Sequence, residues 1–382
     1  MSRRRHAASI AEIDLAALGE NLRQVKKRIG RKKILAVVKA NAYGHGAVEI
    51  ARFLERKETG RAPGVSMFAV AFLEEGAALR EAGIDLPILL MTGCPIEQIP
   101  EIVRHRLTPL VFDLESLFAL SRHAKKIGRK INVHIKLDTG MGRLGLSPGE
   151  ARAFIQRAVG EKGIRIEGVL THFAEADLKD LSFARGQLEK IHHVWQALKK
   201  EGIKIPYCHL ANSAAIMHFS PAHFNLVRPG LMLYGYSPLE GKTTIPLRPV
   251  MQVKTRVIAL RKVPAGTSIS YGRTFVTKRE SLIATLSIGY ADGYPRLLSN
   301  RGTMIAKGKR VPVVGRVCMD MTMIDVTEVP SLAVGDWVTV IGAEGGEAVW
   351  ADELARGAET IPYEILCGIG DRIPRIYINR PG

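Results

Sequence analysis

The sequence contains few cysteines and lacks a long hydrophobic run. Its 382 residues include only four cysteines, which are widely separated and form no C-x-x-C pair. This spacing predicts neither a disulfide framework nor a zinc site, and no other metal centre is indicated. Because no run of about 18 apolar residues occurs, we expect no membrane-spanning helix and no membrane partner.

Acidic residues are scarce relative to basic ones. The chain has 55 Lys and Arg against 37 Asp and Glu, which gives a formal net charge of +18. A nucleic-acid partner is one interpretation of such a charge. The basic residues are spread along the chain, however, and the dense segments 3–5 and 26–33 contain no aromatic residues. A solvated basic surface that attracts anionic metabolites is sufficient, so we expect no nucleic-acid partner.

The first residues do not form the pattern of a signal peptide. Residues 2–6 (SRRRH) include three arginines, as at the start of such a peptide. Glu12 and Asp14 then interrupt the short apolar stretch that follows, so a hydrophobic signal core cannot form. We expect a cytoplasmic protein.

Short apolar runs rich in Val, Ile and Leu alternate with amphipathic stretches over the first two thirds of the chain. The runs lie near residues 33–40, 67–71, 87–91, 109–112, 131–137, 164–171, 206–210 and 224–228. Apolar residues recur at helical spacing over residues 15–29, 73–82, 114–127 and 181–200. Asp14 is the expected N-cap of the first of these helices. Eight buried strands with crossovers predict an α/β fold of the (β/α)8 TIM-barrel type, with a doubly wound open sheet as the rival.

The pattern becomes mostly β beyond about residue 245. Strand-like segments separated by Gly, Pro and Asp turns occupy residues 250–260, 281–288, 310–317, 321–326 and 336–341. Only residues 351–356 look helical between them. We therefore predict a barrel domain over residues 1–245 and a β-rich C-terminal domain over residues 246–382.

Lys39 is the first candidate catalytic residue. It lies at the C-terminal end of the first predicted barrel strand, and in a barrel that end faces the active site. Burial at this point would lower the pKa of the amine, and a neutral amine can form a Schiff base with an aldehyde cofactor. Residues 41–46 follow with two glycines, and Tyr43 among them could offer a hydroxyl to a phosphate.

Residues 140–145 satisfy the pattern G-x-G-x-x-G after a predicted strand, so a dinucleotide site must be considered. Three features weaken this interpretation. The motif follows the fifth strand rather than opening the first βαβ unit. Asp138 and Thr139 place polar groups where the strand ends. Ser147 and Pro148 interrupt the chain before a helix can begin.

Four segments resemble the alanine racemase family. Residues 36–46 (AVVKANAYGHG) closely match its motif for the lysine that binds pyridoxal phosphate (PLP), and residues 136–145 (KLDTGMGRLG) match its segment at the end of barrel strand five. Residues 171–177 (THFAEAD) and 226–231 (LVRPGL) are similar to two further segments. The likeness extends over residues 13–376, so it implies the same two-domain fold.

The resemblance implies a set of cofactor contacts. Lys39 would bind PLP, and Arg143 would contact its phenolic oxygen and lie near the substrate carboxylate. Lys136 matches a lysine that is carbamylated in some members. His172 would lie beside the pyridine ring and support Arg228, which would donate to the pyridine nitrogen and, being unable to accept a proton, leave it unprotonated. The phosphate would contact Tyr43, Ser213, Gly230, Leu231 and Tyr363.

Racemisation calls for a second acid–base group, because one side chain rarely reaches both faces of a planar intermediate. Residues 269–275 are similar to the family's catalytic-tyrosine segment, which makes Tyr271 the candidate. Residues 315–320 resemble the segment that places the Met319 backbone near the substrate carboxylate. In the family both segments reach the lysine of the partner subunit, so the resemblance implies a head-to-tail homodimer.

Interconversion of L- and D-alanine is the predicted activity, and supply of D-alanine for peptidoglycan is the role that the resemblance implies. A serine racemase or one of broader specificity, a PLP-dependent amino-acid decarboxylase on the same plan, and a PLP carrier without turnover remain open. Cys318 keeps decarboxylation open, whereas Ser213 and Tyr271 favour racemisation. Bulky Tyr363 and Tyr271 favour a small substrate side chain.

Overall fold

Two sheets organise the chain in a computed structural model that describes residues 7–56, 64–239 and 245–379. One sheet has eight strands, the other has nine, and a two-stranded ribbon lies apart from both. The arginine-rich segment at residues 2–6 lies outside the described ranges.

The eight-stranded sheet is a nearly closed parallel barrel, as predicted. Strand β1 (Ser9–Asp14) precedes it and belongs to the other sheet. The barrel strands are β2 (Lys33–Val37), β3 (Met67–Val70), β4 (Ile88–Leu90), β5 (Thr108–Val111), β6 (Ile131–Lys136), β7 (Ile164–Leu170), β8 (Tyr207–His209) and β9 (Leu226–Val227). Their order is β8-β7-β6-β5-β4-β3-β2-β9, which confirms the barrel over the open sheet.

Helices follow most barrel strands and cover the outside of the barrel. They are α1 (Leu15–Ile29), α2 (Ala47–Glu55), α3 (Leu73–Glu81), α4 (Ile99–Arg104), α5 (Leu114–Lys126), α6 (Pro148–Gly160), α7 (Ser182–Lys200) and α8 (Ser213–His218). Asp14 caps α1 as predicted, since its Oδ1 accepts the Ala17 N–H at 3.0 Å. The expectation that Ser147 and Pro148 interrupt before the helix is wrong: Ser147 is the N-cap of α6 and Pro148 its first residue.

The second sheet makes the C-terminal region mostly β, as predicted. Its remaining strands are β10 (Met251–Val263), β13 (Ser281–Leu286), β14 (Thr303–Ala306), β15 (Lys309–Pro312), β16 (Thr322–Asp325), β17 (Trp337–Glu344), β18 (Glu347–Val349) and β19 (Arg375–Ile378), while β11 (Ser268–Ile269) and β12 (Phe275–Val276) form the ribbon. Two α-helices, α9 (Ala351–Gly357) and α10 (Pro362–Gly368), lie between β18 and β19, so the expectation of a single helix in this region is wrong.

Burial explains why the two regions differ in sequence pattern. All four residues of β3 are buried, as in a parallel strand covered on both faces, whereas buried and half-buried residues alternate at the start of β10. One continuous hydrophobic core contains both Phe68 of the barrel and Val253 of the second sheet. Because β1 pairs with β10, the second sheet draws on both ends of the chain, and the division at residue 245 stays a prediction.

Within the described ranges, no helix combines the length and the apolar character that crossing a bilayer requires. All four cysteines are unpaired.

Candidate active site

Lys39 begins an unusual left-handed turn directly after β2. Ala40, Asn41, Ala42 and Tyr43 have φ values of 51°, 52°, 55° and 53°. Each costs about 1–2 kcal/mol for a residue with a side chain, so the surroundings must hold the turn. The Ala40 N–H donates to Glu75 Oε1 at 2.6 Å, and the Ala47 N–H donates to Asn41 Oδ1 at 2.8 Å.

His45 locks the end of this turn. Its Nδ1 lies 3.0 Å from the Ala42 carbonyl oxygen and 2.8 Å from that of Tyr43, so Nδ1 carries the donated proton. Burial lowers the pKa of His45 to about 4, which keeps the ring neutral. From β19, Arg375 Nε donates to the Gly44 carbonyl oxygen at 2.9 Å. Sequence reasoning gave His45 and Arg375 no role, although His45 stands inside the recognised motif.

A cavity of about 420 Å³ opens above the barrel strands beside the turn. Eight predicted site residues line it: Lys39, Tyr43, His172, Ser213, Arg228, Gly230, Leu231 and Tyr363. They come from positions up to 324 residues apart (39 to 363), so the fold has gathered them. Cys367 of α10 also lines the cavity and was not predicted.

The Lys39 amine holds its proton less tightly than an exposed lysine does. Burial, and then the positive charge of Arg143, lower the pKa of Lys39 below its ordinary value. A lowered pKa increases the neutral fraction near pH 7, and only the neutral amine accepts a proton or attacks a carbonyl.

Arg228 is fully buried, and its Nη atoms are committed to the protein. Nη1 donates to Nδ1 and the carbonyl oxygen of His209 at 3.0 and 2.9 Å. Nη2 donates to the carbonyl oxygens of Thr171 and Leu210 at 2.8 and 3.2 Å and to His172 Nδ1 at 3.1 Å. Burial lowers the pKa of Arg228 to about 10, so it stays charged at neutral pH. Within the described part of the chain, Nε is left without a partner.

Hydroxyl groups gather at another part of the cavity. Ser213 Oγ accepts the N–H groups of Gly230 and Met232 at 3.0 and 3.2 Å, which leaves its own hydrogen available. A Cβ on Gly230 would lie 2.5 Å from Tyr43 Oη, so only glycine fits there. Burial raises the pKa of Tyr363 to about 12, and it raises that of Tyr43 as well, so both keep their hydrogens.

The glycine-rich loop after β6 does not bind a dinucleotide phosphate. Asp138 Oδ1 accepts the N–H groups of Gly140 and Met141 at 2.9 and 2.8 Å, and its Oδ2 accepts that of Arg143 at 3.0 Å. The loop therefore wraps around a carboxylate of its own chain. These N–H groups are not free for a phosphate, which removes the dinucleotide interpretation.

Lys136 lies below this loop and is almost completely buried. Burial, and then the charges of Arg228 and Arg143, lower the pKa of Lys136 to about 7. The amine is therefore partly neutral near physiological pH, as carbamylation by carbon dioxide requires. Arg143 itself is not among the described residues that line the cavity.

Tyr271 and Met319 lie together on the surface of the β-rich region. Their side chains are 72% and 54% exposed. The segments are joined because Ser270 Oγ donates to the Arg316 carbonyl oxygen at 2.6 Å. Neither residue is among the described residues that line the cavity. The chain thus gathers Lys39 and most of the other predicted cofactor-binding residues in one cavity but leaves Tyr271, the predicted second acid–base group, and Met319 outside its described lining.

Comparisons with known proteins agree with this arrangement. The family models "Alanine racemase, N-terminal domain" and "Alanine racemase, C-terminal domain" match residues 13–238 and 250–377. The alanine racemase of Halothermothrix orenii is 46% identical over 384 residues, with 100% of each chain covered.

Solved structures agree as well. Alanine racemase of Clostridium difficile 630 matches with a TM-score of 0.91 and 37% identity, over 98% of this chain and 96% of that one. The alanine racemase from Bartonella henselae with covalently bound pyridoxal phosphate matches with a TM-score of 0.86 and 34% identity. The match covers 97% of this chain and 100% of that one. The family predicted from the motifs is confirmed: the chain belongs to the alanine racemase family and is a racemase.

Proposed function

We propose that the chain interconverts L- and D-alanine with PLP as cofactor and with Lys39 and Tyr271 as the two acid–base groups. The observation that carries the proposal is the partly buried Lys39 amine of lowered pKa in a cavity that also holds the free Arg228 Nε. The family likeness implies that the enzyme lies in the cytoplasm and that its role is to supply D-alanine for peptidoglycan.

The cavity residues fit PLP in three respects. Gly230 approaches Tyr43 so closely that a Cβ would collide with Tyr43 Oη. This close packing suits the wall of a cradle around a bound group. Ser213 and Tyr43 have hydroxyl hydrogens available for phosphate oxygens. Arg228 Nε is a donor with no partner in the described ranges and suits the ring nitrogen. When bound, PLP supplies an aldehyde for the amino group of the substrate and a ring that spreads the charge left at Cα.

The side chains divide the work of holding the cofactor. Lys39 holds or releases a proton at Nζ on one face of the substrate. Arg228 donates from Nε and, because its guanidinium cannot accept a proton, leaves the contacted nitrogen unprotonated. Burial keeps the pKa of His172 well below its ordinary value, so its Nδ1 accepts from Arg228 and does not carry a competing charge.

The second face requires Tyr271 from a partner subunit. Because Tyr271 is largely exposed and is absent from the described lining of the Lys39 cavity, we infer a head-to-tail homodimer in which each subunit completes the other's site. Tyr271 Oη then exchanges the proton on the face opposite Lys39. Met319, beside it, offers its backbone to the substrate carboxylate, where Arg143 also acts.

Alanine is preferred to larger amino acids in this proposal, because Tyr363 and Tyr271 would crowd a longer side chain. One extra methylene changes discrimination by only about 1–3 kcal/mol, so serine can be a slower substrate. Faster turnover of lysine or arginine than of alanine would contradict this part.

The test is chiral chromatography of L-alanine incubated with the purified protein and PLP. We expect progress toward equal amounts of both enantiomers, and no progress with Lys39→Ala. Lys200→Ala, at the exposed end of α7, serves as a matched lysine control and keeps activity. Carbon dioxide release from lysine or ornithine without racemisation would replace this proposal with decarboxylation.

A further inference from the structure

Behind Arg228, a chain of buried side chains crosses the barrel interior to a carboxylate. His209 of β8 accepts from Arg228 at Nδ1, and its Nε2 lies 2.9 Å from His134 Nδ1 on β6. His134 Nε2 faces Glu167 Oε2 of β7 at 3.8 Å. Both imidazoles are 0% exposed. The four residues, Arg228, His209, His134 and Glu167, are called the relay below.

Only one arrangement of protons satisfies the relay. Arg228 has no lone pair to offer, so His209 Nδ1 must accept and its Nε2 must carry the hydrogen. That hydrogen points at His134 Nδ1, which must then accept, so His134 also carries its hydrogen on Nε2. Burial lowers the pKa of both imidazoles, which keeps them neutral. The last N–H of the relay is therefore directed at the Glu167 carboxylate.

The far end of the relay is built for this contact. His134 Nε2 and Glu167 Oε2 are buried and have no hydrogen-bond partner among the described residues, and they lie 3.8 Å from each other. Asn132 Nδ2 donates to the other oxygen, Glu167 Oε1, at 3.4 Å. Gly168 admits the imidazole, since a Cβ there would lie 2.5 Å from His134 Nδ1.

Arg228 needs such a counter-charge. Its guanidinium is buried, and the partners of its Nη atoms in the described ranges are neutral: three carbonyl oxygens and two imidazoles. A buried charge is costly without a charge of opposite sign. The Glu167 carboxylate attracts the His134 N–H across 3.8 Å, and polarisation along the two hydrogen bonds that join His134, His209 and Arg228 carries this effect to Arg228.

We propose that Glu167, acting through His134 and His209, is a positioning residue that fixes the orientation and the charge balance of Arg228. The inference rests on the proposed function, in which Arg228 Nε meets the PLP ring nitrogen. Losing the Glu167 charge makes Arg228 a stronger net cation and weakens the His209 contact that helps to orient it. Both changes alter the electron density at the ring nitrogen and the rate of proton removal from Cα.

The test compares holoenzymes of Glu167→Gln and Glu189→Gln, reconstituted with PLP labelled with 15N in its ring. Glu189 is exposed on α7 and serves as the matched control. We expect Glu167→Gln to lower kcat about tenfold, as for carboxylates behind a ligating histidine, and to move the ring 15N resonance with little change in KM. The control keeps both values. Identical kcat and 15N resonance in the two variants would overturn the relay.

A second variant cuts the relay elsewhere. His134→Asn keeps an acceptor near the Nδ1 position but places no N–H at the Nε2 position that faces Glu167. We expect the same loss as in Glu167→Gln and no further loss in the double variant, because both changes break one chain. Additive losses would contradict the inference.

The unmutated holoenzyme supplies a third readout, independent of variant folding. Imidazole 15N spectra are expected to show His134 and His209 both protonated at Nε2, and a proton on Nδ1 of either ring would overturn the relay. Absence of racemisation, or of absorbance from lysine-bound PLP, in the unmutated protein would instead reject the proposed function.

Discussion

At the scale of single residues, burial sets the charge states in the cavity. It lowers the pKa of Lys39 and Lys136, so neutral amines become available, and it leaves Arg228 charged because a guanidinium starts from a much higher value. It also keeps His172 neutral beside Arg228. The same physical effect therefore produces a base, a permanent donor and a neutral acceptor, depending on which side chain is buried.

Gly230→Ala tests the cradle. The new Cβ would lie 2.5 Å from Tyr43 Oη, so the tyrosine or the backbone must move. Overpacking of this kind costs about 1–3 kcal/mol, which predicts PLP affinity lower by roughly tenfold or more in an absorbance titration. Gly186→Ala is the control, since nothing lies within 4 Å of a Cβ there. Equal affinity in the two variants would contradict the assignment of the cradle.

His45 predicts a pH dependence of stability. Its pKa is about 4 in the folded protein against an ordinary 6.5, so the unfolded chain binds more protons between these values. Stability is therefore lost as the pH falls through this window, by about 2 kcal/mol for this group between pH 7 and pH 5. In urea unfolding, His45→Gln should reduce the pH 7-to-5 difference by that amount. His192→Gln, at an exposed site, should leave it unchanged.

At the scale of elements, the left-handed turn after β2 brings the barrel and the β-rich region together at the site. Glu75 at the start of α3 accepts the N–H groups of Ala40 and Ala71 at 2.6 and 2.7 Å, so the first two strand ends share one carboxylate. Arg375 of β19 binds the turn from the other side. The orientation of Lys39 thus depends on elements far apart in the chain.

Glu75→Ala should loosen the turn. The Ala40 N–H would lose its acceptor, and leaving a donor unpaired costs about 1–3 kcal/mol. We expect hydrogen exchange at Ala40 and Asn41 to accelerate about tenfold or more and racemisation to slow. Glu74→Ala removes the exposed neighbouring carboxylate of the same helix and serves as the control. Exchange rates that match this control would show that Glu75 does not hold the turn.

At the scale of the whole molecule, the predicted site residues of one chain fall into two separate groups. Lys39 and the cofactor contacts lie in the cavity, and Tyr271 and Met319 lie exposed on the β-rich region. A symmetric dimer places both halves together twice, because each surface patch meets its complement on the partner. In the proposed dimer, the exposure of Tyr271 is explained by an interface rather than by the fold of the single chain.

Subunit mixing tests this arrangement. Lys39→Ala and Tyr271→Phe proteins should each be inactive or strongly impaired. After joint unfolding and refolding, about half of the dimers are mixed, and each mixed dimer has one intact site out of two. We expect about one quarter of the unmutated activity in the chiral assay. No recovery, with mixed dimers shown by mass spectrometry, would mean that both residues serve the same subunit's site.

The barrel strands and the long helices could be predicted because the pattern of apolar residues within each segment indicates which residues are buried. Strands such as β3 are apolar throughout and α1 has its cap and its spacing, so each signal lies within a few residues. The strand β1 and the helix α10 were not predicted. The register of β1 depends on β10, more than 230 residues away, and α10 begins at a proline after few helical signals.

The sequence by itself determined the family and the alternation that produces a barrel, and it predicted Lys39, Arg228 and Tyr271 as site residues, because motifs and periodicity are local properties. Only the tertiary structure decided that Asp138 occupies its own glycine-rich loop, that His45 locks the turn, and that Glu167 stands behind Arg228. These facts are contacts between distant or differently oriented groups. Hydrogen-bond direction and burial are set only when the strands lie side by side, so the sequence pattern alone does not reveal them.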